Sequence, residues 1–176
     1  STFLDQHHLQ KSATARLKYG LFVRPSHVEK PSVVALEGQD KLIAVAGFSN
    51  PRTFWREGKP LRSCELVRFA SRQGYTVVGG LDKLLSHFTQ EIAPDDLMTY
   101  TDTDWSVGES FRKLGFEQVG ALPPVLMWAH PVHAERIKLP ATSAAEEQRL
   151  AAEGWKRVYN AGSRKWLKMI HHADTL

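Results

Sequence analysis

Three stretches of this chain combine residue types that can do chemistry. The first is Gln73-Gly74-Tyr75-Thr76-Val77-Val78-Gly79-Gly80-Leu81-Asp82-Lys83. A strand pattern runs through a glycine turn into an amphipathic helix. A helix N-terminus presents unpaired backbone N–H groups and a positive dipole end. Glycines let a phosphate approach those groups closely, so the turn can hold a pyrophosphate. The spacing is neither that of a Walker A loop nor that of the Rossmann fingerprint. The bland alternative is that Gly79-Gly80 only lets the helix pack close to a sheet. The second stretch is Tyr100-Thr101-Asp102-Thr103-Asp104-Trp105-Ser106. Its polar groups gather at the end of a strand pattern, where open α/β sheets place their sites. Asp102 or Asp104 can act as general base or orient an amine. Either Asp104 or Ser106 can instead cap the next helix. The third is Glu65 with Arg68. On a regular strand their odd separation points them to opposite faces, unless a bulge intervenes. A charge within a sheet is costly unless paired, so one of them is expected to reach into a site or to lie at an exposed edge.

Other reactive residues carry weaker signals. His7-His8 and His171-His172 have no metal-site spacing, and no metal is expected. His8 can enter a pocket if the N-terminal segment folds over the sheet. Cys64 has no activating base beside it and reads as a core thiol. Near the C-terminus Lys156, Arg157, Arg164, Lys165 and Lys168 interleave with Trp155, Tyr159 and Trp166. Basic and aromatic residues together suit nucleic acid, through phosphate contact and base stacking. The alternative is that the aromatics dock on the core and the cations are solvated.

The elements that must position these residues follow from periodicity. Leu17–Val23, Val33–Leu36, Lys41–Ser49 and Ser63–Ser71 read as strands, with a turn at Gly38-Gln39-Asp40. Val77, Leu81, Leu84, Leu85, Phe88 and Ile92 keep helical spacing up to Pro94. Asp96–Thr101 is a strand, Ser106–Leu114 a short helix capped by Gly115, and Phe116–Ala121 and Val125–Trp128 are further strands. Ser143 and Glu146 make a capping box for a helix ending at Gly154. Trp155–Tyr159 and Arg164–Met169 then predict a hairpin around Asn160-Ala161-Gly162-Ser163. The division expected is 1–139 for the main domain and 140–176 for a helix-and-hairpin appendage, linked by Leu139-Pro140-Ala141-Thr142.

The chain has 176 residues, enough for one domain with a core that needs no disulfide. One cysteine excludes an internal disulfide and fits a reducing, cytoplasmic setting. No run of about 18 apolar residues exists, so no membrane helix is expected. The first residues lack a signal pattern and a Met, as in a chain processed or cut from a longer one. A net charge of +4 and a pI near 9.3 permit a polyanionic partner without demanding one.

The order of these elements, and Phe111-Arg112-Lys113-Leu114-Gly115-Phe116 at the end of the short helix, resemble the GNAT acyltransferase fold over about Leu17 to Trp128. That resemblance implies an α/β (α+β) fold with a mixed, largely antiparallel central sheet flanked by helices. It also implies that acetyl-CoA or a related acyl-CoA binds at Val78, Gly79, Gly80, Leu81 and Lys83. Glu65-Leu-Val-Arg68-Phe, Val77-Val-Gly-Gly80-Leu-Asp-Lys83-Leu, Asp102-Thr-Asp-Trp105-Ser-Val-Gly108 and Glu153-Gly-Trp-Lys-Arg-Val-Tyr159-Asn-Ala-Gly162 are more narrowly similar to the bacteriophage Mom-like DNA-modification proteins. Within that group the labels endonuclease and acetyltransferase both occur. The implied function is transfer to an amine, an adenine-type base in DNA. Asp102, with Glu65 or Arg68, would position and deprotonate the acceptor, and Trp105 would stack on it. The implied fold makes the segments around Glu65 and Asp102 adjacent central strands, so that they build one cleft. Two departures stand out. The family's phosphate-loop pattern is out of register at Tyr75–Gly80. Phe111 occupies the place of a proton-donating tyrosine and cannot donate a proton, which leaves Tyr100 or Ser106 for that role or implies altered chemistry. The rival readings are an ordinary N-acetyltransferase of a small molecule or protein, and a non-catalytic or nuclease-associated nucleic-acid-binding module.

Overall fold

A computed structural model describes residues 2–8, 13–24, 40–132, 135–138 and 144–170. The expected strand Val33–Leu36, the turn residues Gly38 and Gln39, the link 139–142, the capping Ser143 and His171-His172 lie outside the described residues. The fold is α+β. In chain order the elements are α1 (Thr2–His7), β1 (Leu17–Val23), β2 (Lys41–Phe48), β3 (Arg52–Arg56), β4 (Lys59–Ser71), α2 (Gly80–Ile92), β5 (Asp96–Asp102), α3 (Glu109–Lys113), β6 (Glu117–Leu122), β7 (Leu126–His130), β8 (Glu135–Ile137), α4 (Ala144–Ala152), β9 (Lys156–Tyr159) and β10 (Ser163–Met169). A mixed seven-stranded sheet has the order β1-β2-β4-β5-β10-β6, with β3 added on β4. A small antiparallel sheet has the order β8-β7-β9. The chain forms two compact units, residues 1–99 with 167–176, and residues 100–166.

In the first unit, β1 alternates half-buried Leu17, Tyr19, Leu21 and Val23 with exposed neighbours, as expected of an outer strand with one covered face. Strand β2, apolar almost throughout, is buried from Ile43 to Phe48 between antiparallel β1 and β4. Phe48 stacks on Phe88 of α2, ring centroids 3.8 Å apart, and Tyr19 meets both edge-on. On the other face of the sheet, Phe3 and Leu4 of α1 pack with Val45 and Ala70. Helix α2 buries Leu84, Leu85 and Phe88 and ends where Ala93 turns left-handed before Pro94. It starts three residues later than the apolar spacing of Val77 suggested, because the glycine pair is still in the turn.

The strand expected from Ser63 begins earlier, at Lys59, and forms a hairpin with β3. Glu57 and Gly58 both have positive φ, the two-residue turn that matches strand twist. It pairs Arg52–Arg56 with Lys59–Ser63. A buried polar cluster anchors the hairpin through Ser63 at its base and Arg56 beside its turn. Asp96 has no exposure and accepts hydrogen bonds from Arg56 Nε at 2.6 Å and from the Ser63 hydroxyl. There β4 and β5 run parallel, pairing only Ser63–Glu65 with Asp96–Met98.

In the second unit, the expected hairpin of Trp155–Tyr159 with Arg164–Met169 is not formed. Strand β9 pairs with β7, and β10 lies between β5 and β6 in the large sheet. The turn signal Asn160–Ser163 is real, but it hands the chain from one sheet to another. Tertiary contacts dictate this route. Trp166 is fully buried, with Nε1 donating to Thr101 Oγ1 at 2.9 Å. Thr103 grips the turn from outside, its N–H and hydroxyl both donating to the Gly162 carbonyl. Gly108, at φ 85°, lies so close to the Trp166 ring that a Cβ would overlap it.

Two stability outcomes follow. Asp96→Ala leaves Arg56, whose side chain is only 24 % exposed, without its carboxylate, and should cost about 3 kcal/mol in urea unfolding. Gly108→Ala combines a left-handed backbone with a clash against an immobile indole. Its unfolding midpoint should fall well below that of an exposed control such as Ser110→Ala.

Candidate functional site

In the first unit the site begins with a register fault. Gly47 pairs with Arg68 and Phe48 with Leu66, so Val67 is an extra residue on β4. The alternation on one side of the fault puts Leu66 with Phe48, facing α2. On the other it puts Arg68 with Gly47, on the α1 side. Glu65 and Arg68 therefore share a face, which regular pairing forbids. Bulging also frees backbone groups, and Arg68 Nη1 donates to the Val67 carbonyl at 2.8 Å. Arg68 Nε is buried and has no hydrogen-bond partner among the described residues.

His8, at the end of α1, belongs to the same group. Helix α1 lies over this face: Phe3 carries the Arg72 guanidinium at 5.9 Å, and the Gln73 N–H points at His7 Nδ1. Burial, and then the nearby Arg68 charge, push the His8 imidazole below its ordinary value of 6.5. Burial likewise lowers Arg68, and the Glu65 carboxylate acts in the opposite direction. A half-buried guanidinium is thus flanked by a carboxylate and by an imidazole held neutral at neutral pH. That set can orient a polar substrate and accept a proton.

The turn before α2 presents a second feature of the first unit. Gly79 is the N-cap, left-handed at φ 68°, and no side chain caps the helix. The first helical bond runs from Lys83 N–H to Gly79 O, and Gly80 N–H closes a turn onto Val77 O. Between them, the N–H groups of Leu81 and Asp82 are in the first helical turn, which has no intrahelical acceptors. A Cβ built on Gly79 meets nothing within 4 Å, so its exposed side is open to a ligand. Gly80 is different: it is buried, and a Cβ there would press on Val77 and Leu21. Thus one glycine of the pair serves packing and the other leaves the approach open. Val78 is 90 % exposed, and Lys83 is exposed one turn into the helix.

The residues from Tyr100 to Ser106 lie in the second unit, where most of their bonds shape a turn. The Asp102 carboxylate accepts the Asp104 N–H at 3.0 Å, and its carbonyl accepts from Trp105 and Ser106. Asp104 accepts the Ala161 N–H at 2.7 Å and pairs with Arg136. These two contacts, the backbone bond first, hold its carboxyl below the ordinary carboxylate range. Neither Asp104 nor Ser106 caps α3: its N-cap is Gly108, whose N–H is accepted by Ser106 Oγ. The Arg136 guanidinium sits 5.5 Å from the centroid of the Trp105 ring, so one face of that ring is already taken. Tyr100 and Ser106 are exposed, and Phe111 packs against Phe116 and Trp166. The aromatics near the C-terminus divide: Trp166 is core, Trp155 meets His130 edge-on, and Tyr159 remains exposed beside Lys156 and Arg157.

Cys64 is fully buried, and burial raises its thiol to about 11, which suits a core residue and not a nucleophile. Among the described residues no three His, Cys, Asp or Glu side chains gather to hold a metal, and no helix is long and apolar enough to cross a membrane. Compared with known proteins, the chain matches no family model and no curated sequence.

The lowered His8 value has a sign. Below pH 6.5 the unfolded chain binds a proton that the folded chain resists, so stability present above 6.5 is lost as pH falls toward the folded value. Urea unfolding from pH 8 to pH 5 should therefore show a shallower decline for His8→Gln than for the wild type. Parallel profiles would refute the assignment.

Proposed function

We propose that this chain is a GNAT-like transferase that modifies an amine, an adenine-type base in DNA, with an acyl-coenzyme A as donor. The observation that carries the reading is the uncapped N-terminus of α2 behind left-handed Gly79, directly after the bulged strand β4. A strand, an open glycine turn and first-turn amides with no intrahelical acceptor fit a pyrophosphate, and exposed Lys83 adds a charge one turn on. Acyl-coenzyme A, when bound, supplies an activated acyl carbon. Val78, Gly79, Gly80 and Leu81 would hold its phosphates through backbone groups.

The protein's own contribution is positioning and proton transfer. In acyl transfer the amine nitrogen bonds to the acyl carbon, the carbon–sulfur bond breaks, and the amine proton must go to a base. Neutral His8 beside Arg68 and Glu65 can orient a polar acceptor. By the resemblance, the base is Asp102, which is half-buried. Phe111 packs against other aromatics and has no proton for the leaving thiolate, so a hydroxyl such as Tyr100 or Ser106 is the donor in this scheme.

Thermal unfolding with coenzyme A is the direct test. A ligand that binds only the folded state should raise the midpoint, by about 2.7 kcal/mol in stability at a hundred times its Kd. Nucleoside mass spectrometry of DNA from cells expressing the chain should reveal an altered adenine, and Asp102→Asn should abolish it with the melt unchanged. A coenzyme A shift with unmodified DNA favours an N-acetyltransferase with another acceptor. DNA binding with no coenzyme A shift favours the non-catalytic module.

A further inference from the structure

The β4 bulge leaves the Arg68 guanidinium only partly used. Its Nη1 is tied to the Val67 carbonyl at 2.8 Å, which fixes the plane of the group. Its Nε is buried and has no acceptor among the described residues, and no hydrogen bond engages Nη2 among them. These two nitrogens make one edge of the guanidinium, the parallel pair of donors that fits a carboxylate or a phosphate. A buried donor without an acceptor is costly. Glu65 supplies none: its carboxylate acts on Arg68 through charge alone. Arg68 as a residue is half-buried, so its outer part stays within reach of a solute.

Register supplies the surroundings. Lys18 of β1 pairs with Gly47 of β2, and Gly47 pairs with Arg68, so the three stand in one row on the α1 side of the sheet. Two strand spacings, about 10 Å, separate the ends of the row. Its middle position has no side chain, and the small Ala15 lies over it. Long side chains from both ends can therefore turn toward one point. Lys18 is exposed and has no ion pair among the described residues. Next to the row, the Arg72 guanidinium lies over Phe3 of α1, and Glu65 is the opposing charge on β4. Helix α1 turns Phe3 and Leu4 to the sheet and leaves Asp5 exposed. His8 is near enough for the Arg68 charge to act on it, and it adds a ring nitrogen. A cation would be repelled here, and an apolar ligand would leave the donors unmet. We propose that the Lys18–Arg68 row binds an oxyanion, which accepts two hydrogen bonds from the Nε–Nη2 edge of Arg68 and takes a second charge from Lys18. Phosphate and carboxylate share this chemistry, so a nucleotide phosphate and a free carboxylate are its two sources. The inference goes beyond the transferase reading and does not depend on it, since the donor pyrophosphate of that reading belongs to the turn before α2.

The test is proton–nitrogen NMR of the full chain titrated with inorganic phosphate and with sodium acetate, against sodium chloride at matched ionic strength. The Arg68 Nε–H and Gly47 amide signals should move saturably with phosphate or acetate and stay in place with chloride. Arg68→Lys keeps the charge but loses the paired donors. Followed at the Gly47 amide, it should weaken binding about 10- to 100-fold, the loss of hydrogen bonds to a charged group. Lys18→Gln should weaken binding about 2- to 5-fold, as for an exposed charge, with the thermal midpoint unchanged. Glu65→Gln should tighten it by removing the opposing carboxylate. Deoxyadenosine monophosphate binding more tightly than deoxyadenosine would support a nucleotide phosphate as the source, and acetate binding more tightly than phosphate a carboxylate. An Arg68 Nε–H signal that does not saturate, or that moves equally with chloride, would overturn the proposal. So would wild-type affinity in both Arg68→Lys and Lys18→Gln. Movement confined to the Leu81 and Asp82 amides would overturn it as well, while supporting the turn before α2 as a phosphate site, so the two readings fail separately.

Discussion

A carboxylate with no access to water organises the first unit. Burying Asp96 is tolerable only because a guanidinium and a hydroxyl meet it, and those partners come from β3 and β4. The requirement fixes the hairpin on the sheet and aligns Ser63 with Asp96, in the short parallel ladder of β4 and β5. It thereby sets the register in which everything further along β4 is read. The bulge at Val67 comes next on that strand, and it turns an opposed pair of charges into neighbours. A half-buried arginine is the consequence, and its cost is partly offset by Glu65 and by the carbonyl that the bulge releases.

Helices on the two faces of this sheet do different things. Helix α2 contributes apolar bulk through Phe88, and its N-terminus is left open by a glycine that no side chain caps. Helix α1 contributes two core residues and delivers His8 beside Arg68. The apolar packing of Phe3 and Leu4 is thus the device that positions a titratable group. Removing it would alter the site without touching a polar atom.

The second unit assigns its polar residues mainly to architecture. Thr103 and Asp104 hold the turn at residues 160–162, Arg136 ties Asp104 to the face of Trp105, and Trp166 fills the space that Gly108 leaves. Residue types that suit catalysis also suit turns, because the same carboxylates and hydroxyls satisfy backbone N–H groups. Asp104 illustrates this: both of its carboxylate oxygens are engaged by neighbours that depend on it.

The sequence by itself determined the elements with strong local signals. The alternating strand at Leu17–Val23, the apolar strand at Lys41, the helix ending before Pro94 and the left-handed Gly115 all follow from period and backbone sterics, which are properties of neighbouring residues. It also determined that Glu65 and Arg68 could meet only through a bulge. Tertiary structure alone decided that the bulge exists, because register is a relation between β4 and β2 and not a property of either. For the same reason α1, the β3 hairpin and the destination of β10 were illegible. Six residues at Thr2–His7 form a helix because the sheet offers a surface for Phe3 and Leu4, and β10 joins the large sheet because Trp166 finds Thr101 there. Which aromatics are buried and which stand in water was likewise a matter of packing. That is why the exposure of Trp55, between Phe54 and Arg56, is visible only in the fold.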